Sequence, residues 1–333
     1  MNFRKYLHYL RLGCKSHKSE ESLILQIGEF VEVRSINEIL NTLNENNTLD
    51  GLPFTPEMLK YCGSKFKVLK LVDKINVEGV GMRQIKDTVI LEGVTCNGEA
   101  HGGCNRTCLL FWKKAWLKKP PIESSKDQEF TQEDALKKRN CATSKGQTFS
   151  CQITNLINAS SPNFWDINQH LFDLTLRFNG SKIAKLFKFI YSILSSSIFK
   201  VQHLLGIKKH ANLNGKLKRT PTSSLNLQPG EIVEVKGKEE IQATLDVKGR
   251  NRGLAFANEM LRYCGGRYRV LKRIDKMINE QTGQMRQIPN TVILEGVHCD
   301  GSFHGGCKRT CYCLWREIWL KRITQEQKEL NRE

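Results

Sequence analysis

Polar and apolar residues alternate along several short stretches of this chain. Glu29–Arg34 (EFVEVR) follows a glycine and puts every second side chain on one face, the pattern of a strand covered on one side. Lys65–Val72 (KFKVLKLV) alternates in the same way, and Thr88–Val94 (TVILEGV) is a nearly continuous β-rich run suited to a buried central strand. Between them, Pro56–Cys62 reads as one short helix closed by Gly63. The same patterns return in the same order in Leu227–Lys236, Asn258–Cys264, Arg267–Ile274 and Thr291–Val297. The Trp-containing ends, WKKAWLKK and WREIWLKR, fit a final strand slightly better than a helical turn.

That return is a duplication. Thr88–Lys119 aligns without a gap to Thr291–Arg322, and the likeness reaches upstream through GEFVEVR/GEIVEVK and EMLKYCG/EMLRYCG. The expected architecture is mainly β with an α-helical middle region: two tandem SH3-like small β-barrel repeats, each with a short helix and a Cys-rich loop. The boundaries read as an N-terminal basic amphipathic segment 1–24, a first repeat 25–119, a linker and amphipathic helical region 120–226, a second repeat 227–322 and a charged tail 323–333. Within the middle region, Ile183, Leu186, Phe187, Ile190, Ile193, Leu194, Ile198, Val201, Leu204 and Leu205 fall at helical spacing, with Lys182, Lys185 and Lys200 off the stripe. Such a helix packs on the repeats or, because its polar side is basic, lies on a membrane surface.

Composition sharpens this only in part. At 333 residues the chain is long enough for two or three cores, and 39% hydrophobic with 26% charged is compatible with a globular protein. A formal net charge of +18 favours an anionic partner: nucleic acid, anionic lipid or another polyanion. The N-terminus lacks the apolar core and cleavage site of a secretory signal, and no run is long enough for a spanning helix. The expected location is cytoplasmic, with peripheral attachment to the inner membrane as the variant in which the middle helix binds lipid. In that setting the 12 cysteines read as thiols or metal ligands rather than disulfides.

The candidate chemistry sits in the repeated cysteines. The first copy offers Cys62, Cys96, His101, Cys104 and Cys108; the second offers Cys264, Cys299, His304, Cys307 and Cys311. The Gly-rich turn NGEAHGGC can bend tightly, bringing Cys96 and Cys104 towards one ion. Zinc suits four cysteines, or three with a histidine, and an iron–sulfur cluster is the alternative. With four cysteines present, His101 and His304 read as outer-shell or alternative ligands. Cys14, Cys141, Cys151 and Cys313 have no counterpart in the other copy. Arg83 and Arg286 recur and could grip an anionic group. Phosphate-loop, dinucleotide, zincin and nucleophile-elbow signatures are absent, so the reading leans away from an enzyme.

The motifs GEFVEVRS, EMLKYCG, TVILEGVTCNGEAHGGC and WKKAWL resemble a bacterial family of tandem-repeat, Cys-rich proteins. The resemblance implies a bacterial origin and the duplicated architecture, and brings no activity or cofactor with it. The resulting expectation is a non-enzymatic scaffold or binding protein with two metal-braced repeats, with the middle helix as a surface for a protein partner. The alternatives are a thiol or iron–sulfur redox protein, a nucleic-acid binder, and a peripheral membrane factor in envelope or polysaccharide assembly.

Overall fold

The computed structural model describes residues 23–120, 148–162 and 213–323. The expected helix over Ile183–Leu205 and the segment before residue 23 lie outside the described residues. The chain divides into two compact units. Unit 1 comprises Met1–Asp73, Lys86–Ala159 and Met277–Arg286, and unit 2 comprises Lys74–Ile85, Ser160–Lys276 and Gln287–Glu333.

The first copy supplies β1 (Phe30–Val33), β2 (Thr48–Leu49), β3 (Leu52–Pro53), β4 (Lys65–Val77), β5 (Gly81–Thr95), β6 (Leu109–Lys113) and β7 (Leu117–Lys118). Its main sheet runs β6-β5-β4-β1-β7. Alternation puts Val31 and Val33 of β1 and Val68 and Val72 of β4 inside, while the continuous run Val89–Leu91 is buried throughout. A short helix, Ile36–Leu40, follows β1. It begins at Ser35, whose backbone N–H donates to Glu38 Oε2 at 2.8 Å while its own hydroxyl accepts from the Glu38 N–H at 3.4 Å.

The strand β8 (Ser161–Pro162) pairs with β5 at Arg83 and Gln84. The second copy supplies β9 (Ile232–Val235), β10 (Arg250–Asn251), β11 (Leu254–Ala255), β12 (Arg267–Arg273), β13 (Lys276–Ile278), β14 (Met285–Gln287), β15 (Thr291–Leu294), β16 (Trp315–Arg316) and β17 (Leu320–Arg322). Its main sheet runs β16-β15-β12-β9-β17.

Two tryptophans hold each core. Trp112 and Trp116 meet edge to face at 6.5 Å, and Phe54 packs on Trp116 at 5.5 Å. In unit 2, Phe256 stands against Trp319 at 5.3 Å. Trp116 Nε1 donates to Thr42 Oγ1 and Trp319 Nε1 to Thr244 Oγ1, both at 3.0 Å. The Trp-containing ends are neither strand nor helix alone: strand gives way to a 3-10 turn at Lys114–Trp116 or Glu317–Trp319, then to strand again.

The expectation of two SH3-like barrels joined by a helical region is overturned. Each main sheet is open, with β6 and β7, or β16 and β17, at opposite edges, and among the described residues no pairing closes either one. The edge strands do not meet: β6 pairs β5 and β7 pairs β1, as β16 pairs β15 and β17 pairs β9, so neither hydrogen-bond ladder returns on itself as a barrel requires. The described parts of the middle region, 148–162 and 213–226, hold one 3-10 turn and β8 rather than a long helix.

The compact units also differ from contiguous repeats. The β4–β5 hairpin tip, Lys74–Ile85, belongs to unit 2, and Met277–Arg286 belongs to unit 1. Each unit therefore contains a hairpin segment from the other copy.

Candidate metal centres

In unit 1, Glu57 lies in the 3-10 turn Pro56–Tyr61, Cys96 follows β5 directly, and His101 ends a second 3-10 turn, Glu99–His101. Gly98 starts that second turn at φ 77°, and a Cβ there would meet the Cys104 carbonyl oxygen at 2.0 Å, so only glycine lets the loop fold back this tightly. The fold-back brings three donors together: His101 Nδ1 is 2.5 Å from Glu57 Oε1 and 3.8 Å from Cys96 Sγ. The Ala100 N–H also donates to Glu57 Oε1, at 3.2 Å. Glu57 is 5% exposed and His101 4%.

The arrangement recurs in unit 2 as Glu259, Cys299 and His304, and the three donor atoms of each group lie within 4.8 Å of one another. His304 Nε2 is 2.9 Å from Glu259 Oε1. On the ring's other side, His304 Nδ1 is 3.4 Å from the Asn76 amide nitrogen, and the Asn76 N–H donates to Cys307 Sγ at 3.2 Å. The segment Lys74–Ile85 thus lies directly on the second Cys loop. Met277–Arg286 occupies the matching place in unit 1, where the Phe149 N–H donates to the Gly283 carbonyl at 2.8 Å and Glu280 sits 3.8 Å from Arg106.

Without a metal, each group combines an ionised carboxylate with a protonated thiol. Burial pushes the Cys96 thiol up strongly, with the Glu57 carboxylate adding to it, and burial with Glu259 pushes Cys299 up to about 12. Burial works against ionisation of Glu57 and Glu259, yet the hydrogen bond and charge of the neighbouring histidine hold both carboxylates below their usual range. One oxygen in each carboxylate, Glu57 Oε2 and Glu259 Oε2, is buried without a hydrogen-bond partner.

Of the sequence-predicted ligands, Cys96, His101, Cys299 and His304 are in these groups, and Glu57 and Glu259 were not named. Cys62, Cys104 and Cys108, with Cys264, Cys307 and Cys311, stand outside them at that distance. Cys62 Sγ lies 4.0 Å from the Met58 carbonyl, and burial pushes its thiol up to about 12. The Cys108 and Cys311 carbonyls accept the N–H groups of Cys96 and Cys299 at 2.8 Å, so these residues shape the loops. Cys151 is brought beside the first loop: Phe149 packs on Gly102, and the Gln152 side chain bonds both the N–H and the carbonyl of Phe111 at 2.9 Å. Cys313 reaches the second loop, its N–H donating to the Val297 carbonyl at 3.3 Å. All ten cysteines among the described residues are free thiols.

The signal for the missed carboxylates was the repeated E-M-L-x-Y-C-G, in which Glu recurs as the second residue of the 3-10 turn. Arg83 is not an open anion grip: it is buried, and its guanidinium donates to Ser160 Oγ at 2.8 Å and to the Ser160 carbonyl at 2.7 Å. Arg286 is exposed. No family model, curated protein or solved structure matches the chain. Glu, Cys and His converging in this way could hold a metal ion.

Proposed function

We propose that each unit binds one divalent transition-metal ion, zinc first, and that the chain is a non-enzymatic binding protein braced by those two ions. The carrying observation is the repeated convergence of Glu57, Cys96 and His101 with Glu259, Cys299 and His304. A carboxylate, a thiolate and an imidazole are the borderline donor set that zinc accepts, whereas iron–sulfur clusters take mainly cysteine thiolates. An ion between them would also satisfy the buried Glu57 Oε2 and Glu259 Oε2. A Cys–His nucleophile is less well supported. Glu57 and Cys96 both face Nδ1 of His101, so the ring is not set to pass a proton between them, and burial keeps the thiol protonated.

The excess of basic residues supports an anionic partner for the whole chain. No helix among the described residues is long and apolar enough to cross a membrane.

Metal analysis of the purified full chain tests the reading. Two ions per chain are expected. Cys96→Ser and Cys299→Ser should each remove one, while Cys62→Ser and Cys264→Ser remove none. Cobalt substitution should give the weak charge-transfer band of one thiolate per ion. A strong multi-thiolate band, with Cys62→Ser losing metal, would restore the cysteine-only site. Wild-type chain that takes up no metal would end the proposal.

A further inference from the structure

The β2–β3 turn of unit 1 is Asp50-Gly51, with both residues at positive φ, 48° and 76°. Asp-Gly is well suited to such a turn. The β10–β11 turn of unit 2 has the same backbone, φ 46° and 81°, but its first residue is Arg252. Arginine gains nothing locally from the left-handed region, so a strained residue is kept here for some other reason.

The neighbours of the two turns supply one. In unit 1 the buried Lys113 donates to Asp50 Oδ2 at 3.0 Å and to the Lys86 carbonyl at 2.9 Å. Arg316 holds the corresponding place in unit 2: it pairs with Thr291 as Lys113 pairs with Thr88. It donates to the Pro289 carbonyl at 2.7 Å, to Thr291 Oγ1 at 2.9 Å and to the Arg252 carbonyl at 3.0 Å. Where the first copy sets the Asp50 carboxylate beside its buried cation, the second sets the backbone carbonyl of Arg252.

Arg252 and Arg316 line a cavity of about 490 Å³ together with Lys218, Arg219, Thr220 and Gln287. Four of its walls are cationic and none is a carboxylate. Among the described residues, Lys218, Arg219 and Arg252 form no ion pair. The wall is fixed rather than loose: the Arg252 N–H donates to Thr220 Oγ1 at 2.9 Å, and Asn251 Nδ2 to the Pro221 carbonyl at 3.0 Å. Like charges gathered in one cavity repel unless an anion joins them, and guanidinium forks match the paired oxygens of phosphate and sulfate.

We propose that this cavity of unit 2 binds a tetrahedral oxyanion, phosphate or sulfate, with the Arg252 guanidinium as the specific donor, Lys218 and Arg219 at the rim, and the buried Arg316, held by Pro289, Thr291 and the Arg252 carbonyl, adding positive charge from the wall. The site is separate from the metal ligands, so it stands or falls independently of them.

The test uses the full chain with its metal retained, titrated at constant ionic strength with inorganic phosphate, inorganic sulfate and chloride, and read by calorimetry and melting temperature. Phosphate or sulfate should bind saturably, at least about tenfold tighter than chloride. Arg252→Asp recreates the unit 1 arrangement and should abolish that binding. The double variant Lys218→Gln/Arg219→Gln changes only exposed side chains and should weaken it severalfold with an unaltered circular dichroism spectrum. Tripolyphosphate binding tighter than phosphate identifies the end group of a polyanion; equal binding identifies the free anion. No preference over chloride, or equal binding by wild type and both variants, overturns the proposal.

Discussion

At the residue scale, the Glu259–His304 pair makes the sharpest prediction. In metal-free protein the hydrogen bond that His304 donates to Glu259 holds its imidazole above its ordinary value against the opposing effect of burial. Its contribution to stability is present below the unfolded histidine value and is lost as pH rises through the raised folded one. The lowered Glu259 carboxylate contributes above its unfolded value, and that contribution is lost as pH falls through the folded one. The pair therefore stabilises between those two folded titrations. Glu259→Gln should bring the His304 titration, followed by NMR, down towards neutral-imidazole behaviour; an unchanged curve would show that Glu259 does not set it. A second expectation concerns Thr42. Thr42→Val leaves Trp116 Nε1 buried without an acceptor and should cost about 1–3 kcal/mol in urea unfolding. Cys96 and His101 were legible in the sequence because the loop repeats them together. Glu57 was not, because a carboxylate some forty positions upstream becomes a neighbour only through the fold.

At the element scale, alternation located the strands well. Ile90 and Ile293 sit at matching places in β5 and β15 and both are fully buried, as the continuous apolar run implied. Truncating either to Ala should cost about 2–5 kcal/mol by chemical denaturation, and a loss below about 1 kcal/mol would mean the sites collapse around the gap. What alternation does not carry is whether the first and last strands of a sheet meet. β1 and β7 pair through Val33 and Leu117, yet β6 remains at the far edge, and nothing in the period of two distinguishes that from a closed ring. The repeat also hides a difference at Glu317, where the first copy has Lys114. Glu317 is 0% exposed and accepts from the N–H groups of Leu225, Asn226 and Leu227 and from Arg273. Glu317→Ala should release the segment leading into β9, seen as faster amide exchange at Leu225–Leu227 than in wild type.

At the scale of the whole molecule, each compact unit draws on both copies. Unit 1 includes Met277–Arg286 and unit 2 includes Lys74–Ile85. A fragment ending at residue 120 should therefore unfold at lower urea than unit 1 does in the full chain, with the loop around Arg106 cut first by protease; equal midpoints would show that the borrowed segment adds no stability. The same exchange sets a timetable for birth on the ribosome. The first Cys loop emerges long before Met277–Arg286 has been translated, and at ~5–20 residues per second the wait is on the order of ten seconds. During that interval the loop's thiols stand without their cover, so the nascent chain can meet metal, oxidant or chaperone before it meets its own second half.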